Sequence, residues 1–172
     1  MRKVILVGYM AVGKTTIAQL ISKRKGVKYV DLDSLIEEKT NLTITKLFKL
    51  KGEIYFRNIE HEMFKNLILS DENLVISTGG GTPCYANNHL LLNSKNCISI
   101  YLRASLEVIL DRLKLEKVTR PLIANKSDEE LMEFVAKQIF ERSYFYSQAT
   151  FTIDVSNKSP EIITEEILKL LN

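Results

Sequence analysis

Gly8-Tyr9-Met10-Ala11-Val12-Gly13-Lys14-Thr15 decides how this chain reads. The stretch matches G-x-x-x-x-G-K-[ST], in which glycines let backbone N–H groups turn inward around phosphate oxygens. Its surroundings suit that reading. The short apolar run Lys3 to Val7 ends directly before it, and a helical pattern from Thr15 to Lys25 begins as it closes, with Ile17, Leu20 and Ile21 on one face. A strand, a glycine loop and a helix N-terminus in that order form an anion site, because unsatisfied N–H groups and the helix dipole meet there. A chance match in a chain of this length is roughly one in a hundred or rarer. Lys14 is placed to reach terminal phosphates, and the Thr15 hydroxyl to ligate Mg²⁺.

Outward from this loop, short β-branched runs alternate with longer helical patterns. Strands are expected at Val27 to Asp31, Leu74 to Thr78, Cys97 to Leu102 and Thr150 to Val155. Helices are expected at about Glu53 to Leu69, Ala86 to Leu92, Leu106 to Leu113 and Asp128 to Tyr146. A last helix starts with Ser159 as N-cap, Pro160 at its first position and Glu161 in its first turn, and should bury Ile163, Ile167 and Leu170. Continuous apolar strands between helices imply an α/β fold, a mostly parallel sheet covered on both faces. Two stretches interrupt the rhythm. Leu32 to Asn73 holds helices and no strand, more than one crossover needs, and Lys114 to Ser127 is a long polar connection containing Arg120-Pro121. The first reads as an acceptor-binding insertion, about 32–62, and the second as a lid, about 112–127.

The 172 residues suit one domain. Hydrophobic residues at 45% exclude general disorder, and no apolar run approaches the length of a membrane span. No secretory signal is recognisable, and Cys84 and Cys97 make no disulfide framework, so a cytoplasmic location is expected. The 24 Lys and Arg exceed the 21 Asp and Glu by 3, and they are scattered, so neither nucleic acid nor a membrane is expected as a partner.

The acceptor must be identified by other residues. Asp31-Leu32-Asp33 ends the second strand, at the sheet edge where ligands bind. Strand alternation would point both carboxylates one way, one near Mg²⁺ and one near an attacking hydroxyl; capping of a helix from Ser34 is the alternative. Arg57 and Glu60 lie three apart on a helix, either as a surface ion pair or with Glu60 aiming Arg57 at an anionic substrate. Thr78-Gly79-Gly80-Gly81-Thr82 ends the third strand, where a GTPase would be expected to carry Asp-x-x-Gly. The glycines admit close approach of a ligand, or make a flexible turn.

Together these residues resemble the shikimate kinases, nearly end to end. The resemblance covers the phosphate loop Gly8 to Thr16, Asp31-Leu32-Asp33, Phe56-Arg57-x-x-Glu60, Thr78 to Gly81, Arg120-Pro121-Leu122, the Arg142 stretch, and Asp154-Val155-Ser156 followed by Pro160. It implies a three-layer P-loop kinase fold like that of the nucleoside monophosphate kinases, with five parallel strands in the order 2-3-1-4-5. It implies transfer of the γ-phosphoryl group of ATP to the 3-hydroxyl of shikimate, with Mg²⁺, by a monomer. Gly8, Ala11, Val12, Gly13, Lys14, Thr15 and Thr16 would surround the nucleotide phosphates, and Arg112 and Pro160 would sandwich the adenine. Thr15 and Asp31 would hold Mg²⁺, Asp31 through water. Lys14 and Arg120 would stabilise the moving phosphoryl group. Asp33 would bind substrate hydroxyls and act as base; Arg57 and Arg142 would bind the carboxylate, and Gly79, Gly80 and Gly81 would line the pocket. Ala11 stands where many members carry glycine. The alternatives are a kinase for another small hydroxy acid such as gluconate, or a nucleotide-binding switch without catalysis.

Overall fold

The computed structural model describes residues 3–116 and 123–171. Strand β1 (Lys3–Val7) is central and buried at every position. It pairs with β3 (Leu74–Ser77) on one side and β4 (Cys97–Arg103) on the other, while β2 (Lys28–Asp31) and β5 (Phe151–Asp154) form the edges. The order is β2-β3-β1-β4-β5 and every pairing is parallel, as the resemblance implied. Right-handed crossovers running to opposite sides of β1 place helices on both faces. That explains why the central strands are continuous apolar runs rather than alternating ones.

Register sets the site. Leu6 and Asp31 both pair with Ser77 of β3, and Leu6 also pairs with Ile100 of β4. The C-terminal ends of β1, β2 and β3 are therefore level, and the loops leaving them emerge side by side at the edge where open α/β sheets bind ligands.

Helix α1 (Lys14–Lys25) buries Ile17, Ala18 and Ile21, with Leu20 only half-buried at its margin, and ends on Gly26 at φ 65°. Helix α6 (Pro160–Leu170) packs against α1. It is capped by Ser159 and buries Ile163 and Ile167, whereas Leu170, expected inside, is exposed. Helix α5 (Asp128–Tyr146) opens with a capping box between Ser127 and Glu130 and packs against α4 (Leu106–Glu116).

Three boundaries differ from expectation. The helix expected from Glu53 starts a full segment earlier. α3 (Ile44–Leu69) bends at Gly52, whose φ of 82° breaks helical geometry between two amphipathic pieces. The stretch expected to be helical from Ala86 is a 3₁₀ turn over Asn88–Asn93, because Ala86 and Asn87 both adopt positive φ and no α-helix can pass through them. A second short 3₁₀ turn covers Thr82–Cys84. The third difference concerns Leu32, which opens helix α2 (Leu32–Thr40) instead of prolonging β2. Of the expected lid, residues 112–116 belong to α4 and Ser127 caps α5; Arg120 and Pro121 lie outside the described residues.

Candidate active site

The loop after β1 has no side-chain cap. Gly13 precedes α1 at φ 95°, with no side chain satisfying the first-turn N–H groups, so these donors face the loop. Gly8 is required by space as well as by its φ of 147°, since a Cβ there would stand 2.6 Å from the Leu102 carbonyl oxygen of β4. Lys14 is buried and its Nζ donates to the carbonyls of Gly8 and Tyr9, at 2.8 Å each, so the ammonium lies across the mouth of the loop. Arg112 of α4 donates to the Ala11 carbonyl at 3.0 Å, which brings it to the same loop. Pro160 is exposed at the first position of α6, the helix that packs against α1. Val12 is buried beneath the loop, and Thr16 is exposed on the first turn of α1.

Ala11 adopts φ 62°, the left-handed region that favours glycine. The loop keeps its shape and carries the strain in one residue, at a cost of about 1 kcal/mol. Glycine relieves that strain but adds freedom to the unfolded chain, so Ala11→Gly should raise folding stability by roughly 0.5 kcal/mol. Urea unfolding checks this, and a loss of stability would mean that the loop is unstrained at Ala11.

Asp31 caps α2 and faces the loop at once. Its Oδ1 accepts from the Ser34 amide at 3.0 Å, and its Oδ2 accepts from the Thr15 hydroxyl at 3.0 Å. Ser77 Oγ stands 3.5 Å from Thr15 Oγ1. Two hydroxyls and a carboxylate are hard oxygen donors of the kind Mg²⁺ takes. Among the described residues no group of three or more His, Cys, Asp or Glu could hold a metal by itself. The donor set fits a cation that brings most of its ligands with it as phosphate oxygens and water.

Asp31 and Asp33 converge by helix geometry and not by strand alternation. β2 ends at Asp31, Leu32 is buried in the core, and Asp33 occupies the first turn of α2. Capping, the competing reading, applies to Asp31 alone. Burial pushes the Asp33 carboxyl up from its ordinary 3.8 to about 6; the charges of Asp31 and Glu60 push the same way, against Lys14 and Arg57. A carboxylate in that range accepts a proton readily near neutral pH.

Arg57 and Glu60 are no ordinary surface pair. Glu60 is 1% exposed, and its Oε2 receives Arg57 Nη1 at 2.7 Å; the Arg57 side chain is 15% exposed and its Nε reaches Glu53 at 3.5 Å. Arg142 of α5 lies over the Tyr9 ring at 5.6 Å. The Tyr146 hydroxyl donates to the Gly80 carbonyl at 2.5 Å, fixing the glycine loop to α5.

The three glycines bring these groups together. A Cβ at Gly79 would stand 2.9 Å from Asp33 Oδ1 and 3.2 Å from Glu60 Oε1; one at Gly81 would stand 2.7 Å from Arg57 Nη2. At Gly80 it would meet Arg142 Nη1 at 3.6 Å. The run is bare because side chains of the site pack directly on its backbone. Neither the flexible-turn nor the ligand-approach reading anticipated that. Burial lifts the Cys84 thiol to about 11, against the pull of Arg142 and Arg57, so it stays a protonated, weakly nucleophilic thiol at neutral pH. Sequence patterns did not single out Ser77, Tyr85 or Asn88, and gave Thr82 no role beyond closing the glycine stretch. Their one signal was proximity to the glycine run.

The family model for shikimate kinase matches residues 10–172. The chain belongs to the shikimate kinase family. The shikimate kinase of Flavobacterium psychrophilum is 50% identical over 99% of this chain and 99% of its own. The crystal structure of the shikimate kinase from Bacteroides thetaiotaomicron superposes with a TM-score of 0.92 at 33% identity, covering 99% of this chain and 98% of that one. Shikimate kinase from Acinetobacter baumannii, solved in complex with shikimate, gives 0.88 at 30% identity over 99% and 93% of the two chains. As a shikimate kinase this chain is an enzyme that uses ATP. No helix among its described residues is long and apolar enough to cross a membrane.

Proposed function

We infer that the chain transfers the γ-phosphoryl group of ATP to the 3-hydroxyl of shikimate, supplying the route to chorismate. The full-length family match carries this reading. The geometry around Gly79 to Gly81 supports it. Asp33 packs on the first glycine and Arg57 on the third, and two residues of chain span at most about 7 Å. A carboxylate and a hydroxyl on one six-membered ring fall within that span.

In this reading Arg57 and Arg142 bind the carboxylate, and Asp33, held near its working range by burial, takes the hydroxyl proton as the oxygen attacks. Backbone groups of Gly79, Gly80 and Gly81 line the acceptor. The N–H groups from Gly8 to Thr16 and the Lys14 ammonium hold the nucleotide phosphates, and Arg112 together with Pro160 flanks the adenine. Thr15, with Asp31 behind it, would hold Mg²⁺, which neutralises charge on the β and γ phosphates when bound. Arg120, outside the described residues, keeps its proposed role on the transferring group, and residues 112–127 that of a lid excluding water. Catalysis then rests on positioning and electrostatics. A monomer is proposed together with this activity, and the free thiols of Cys84 and Cys97 suit the cytoplasm.

A coupled ADP-release assay with ATP, Mg²⁺ and shikimate tests the activity. Saturable, shikimate-dependent turnover is expected. Release no faster than without acceptor, or preference for gluconate in a substrate panel, would overturn it.

A further inference from the structure

We propose that Thr82 and Tyr85, which follow the glycine run, are positioning residues that hold Arg57 in its substrate-binding pose from two sides. This rests on the role given to Arg57 above. On the inner side, the Thr82 hydroxyl donates to Glu60 Oε1 at 2.7 Å, while Glu60 Oε2 receives Arg57 at 2.7 Å. Thr82 has no exposed surface. Its own backbone is held in turn, for Asn88 Nδ2 donates to the Thr82 carbonyl at 2.9 Å and Asn88 Oδ1 meets His61 Nδ1 of α3 at 2.7 Å. Each Glu60 oxygen therefore has a defined partner, and the carboxylate cannot rotate away from Arg57 without leaving a buried acceptor unpaired.

On the outer side the Arg57 guanidinium carbon lies 3.9 Å from the centroid of the Tyr85 ring, with Phe56 at 4.9 Å. Tyr85 is 37% exposed, so its ring closes the guanidinium off from solvent without being part of the core. Glu60 fixes where the fork points and Tyr85 fixes its plane. A bidentate contact to a carboxylate needs both, because the two N–H vectors must lie in the plane of the acceptor. No substrate contact is assigned to Thr82 or Tyr85; both act through Arg57.

The test measures kcat and both KM values for four variants. Thr82→Val removes the hydroxyl and keeps the shape. It should raise the KM for shikimate about tenfold, with kcat and the KM for ATP within about twofold of wild type. Thr82→Ser should restore the KM. Tyr85→Leu removes the ring from a half-exposed site where folding is not at stake. It should raise the same KM about threefold. Tyr85→Phe, which keeps the ring, should not. The proposal fails if Thr82→Val leaves the shikimate KM unchanged, if Thr82→Ser does not restore it, or if Tyr85→Leu and Tyr85→Phe behave alike. If Thr82→Val does not fold, the Tyr85 pair decides. Absence of shikimate turnover in the wild-type enzyme would instead reject the function itself.

Discussion

Asp33→Asn is expected to lower kcat by about three orders of magnitude while leaving ATP affinity within a few-fold of wild type. The amide fills the same space beside Gly79, so packing is kept, but it cannot take the proton from the attacking hydroxyl. Because the folded carboxyl titrates near 6, wild-type kcat/KM should fall about tenfold per pH unit below that value as Asp33 protonates. The Asn variant should lose this acid limb. Stability should move the other way. Burial raises the folded value above the unfolded 3.8, so ionised Asp33 weakens the fold. That cost is full above about 6 and vanishes below about 4. Asp33→Asn should therefore gain roughly 3 kcal/mol at pH 8 and nothing at pH 3.5. Steady-state kinetics across pH, with thermal melts at the two extremes, measure all of this. Near-normal turnover in the variant would remove Asp33 from the reaction.

Arg57→Lys should raise the KM for shikimate about 30-fold, corresponding to about 2 kcal/mol for a charge-assisted fork replaced by a point charge. Lysine keeps a cation near Glu60, so the variant should fold almost as well as wild type. Arg57→Ala is a different experiment. It strands a carboxylate that is 1% exposed, which costs about 3 kcal/mol of stability through the uncompensated charge. Comparing the two separates binding from folding. If the lysine variant keeps a normal KM, Arg57 and Glu60 are an ion pair that serves the fold alone.

Much of this architecture is legible in local sequence because its causes are local. The phosphate loop sits between a strand and a helix, Ser159-Pro160 before a helical pattern favours a helix start, and buried parallel strands are near-continuous apolar runs. Misreadings arose where short-range rules compete. Leu32 fits a strand by hydrophobicity, yet Asp31 is a better helix cap than a strand residue, and the helix prevails. Ala86 and Asn87 look helical by composition but take left-handed backbone conformations.

By itself the sequence determined the loop chemistry, the strand–helix alternation and, through motif order, the family. Tertiary structure alone decided what Glu60 and the three glycines are for. Spacing on α3 could describe Glu60 and Arg57 only as a pair three residues apart. Whether that pair is a weak surface contact or a buried clamp depends on desolvation, and the groups packed around it, among them Gly79, Gly81, Thr82 and Tyr85, lie more than fifteen residues downstream. Likewise, no local rule says that side chains from α2 and α3 will rest on Gly79 and Gly81. That follows from sheet register, which levels the ends of β1, β2 and β3 and so brings sequence-distant charges within hydrogen-bond reach.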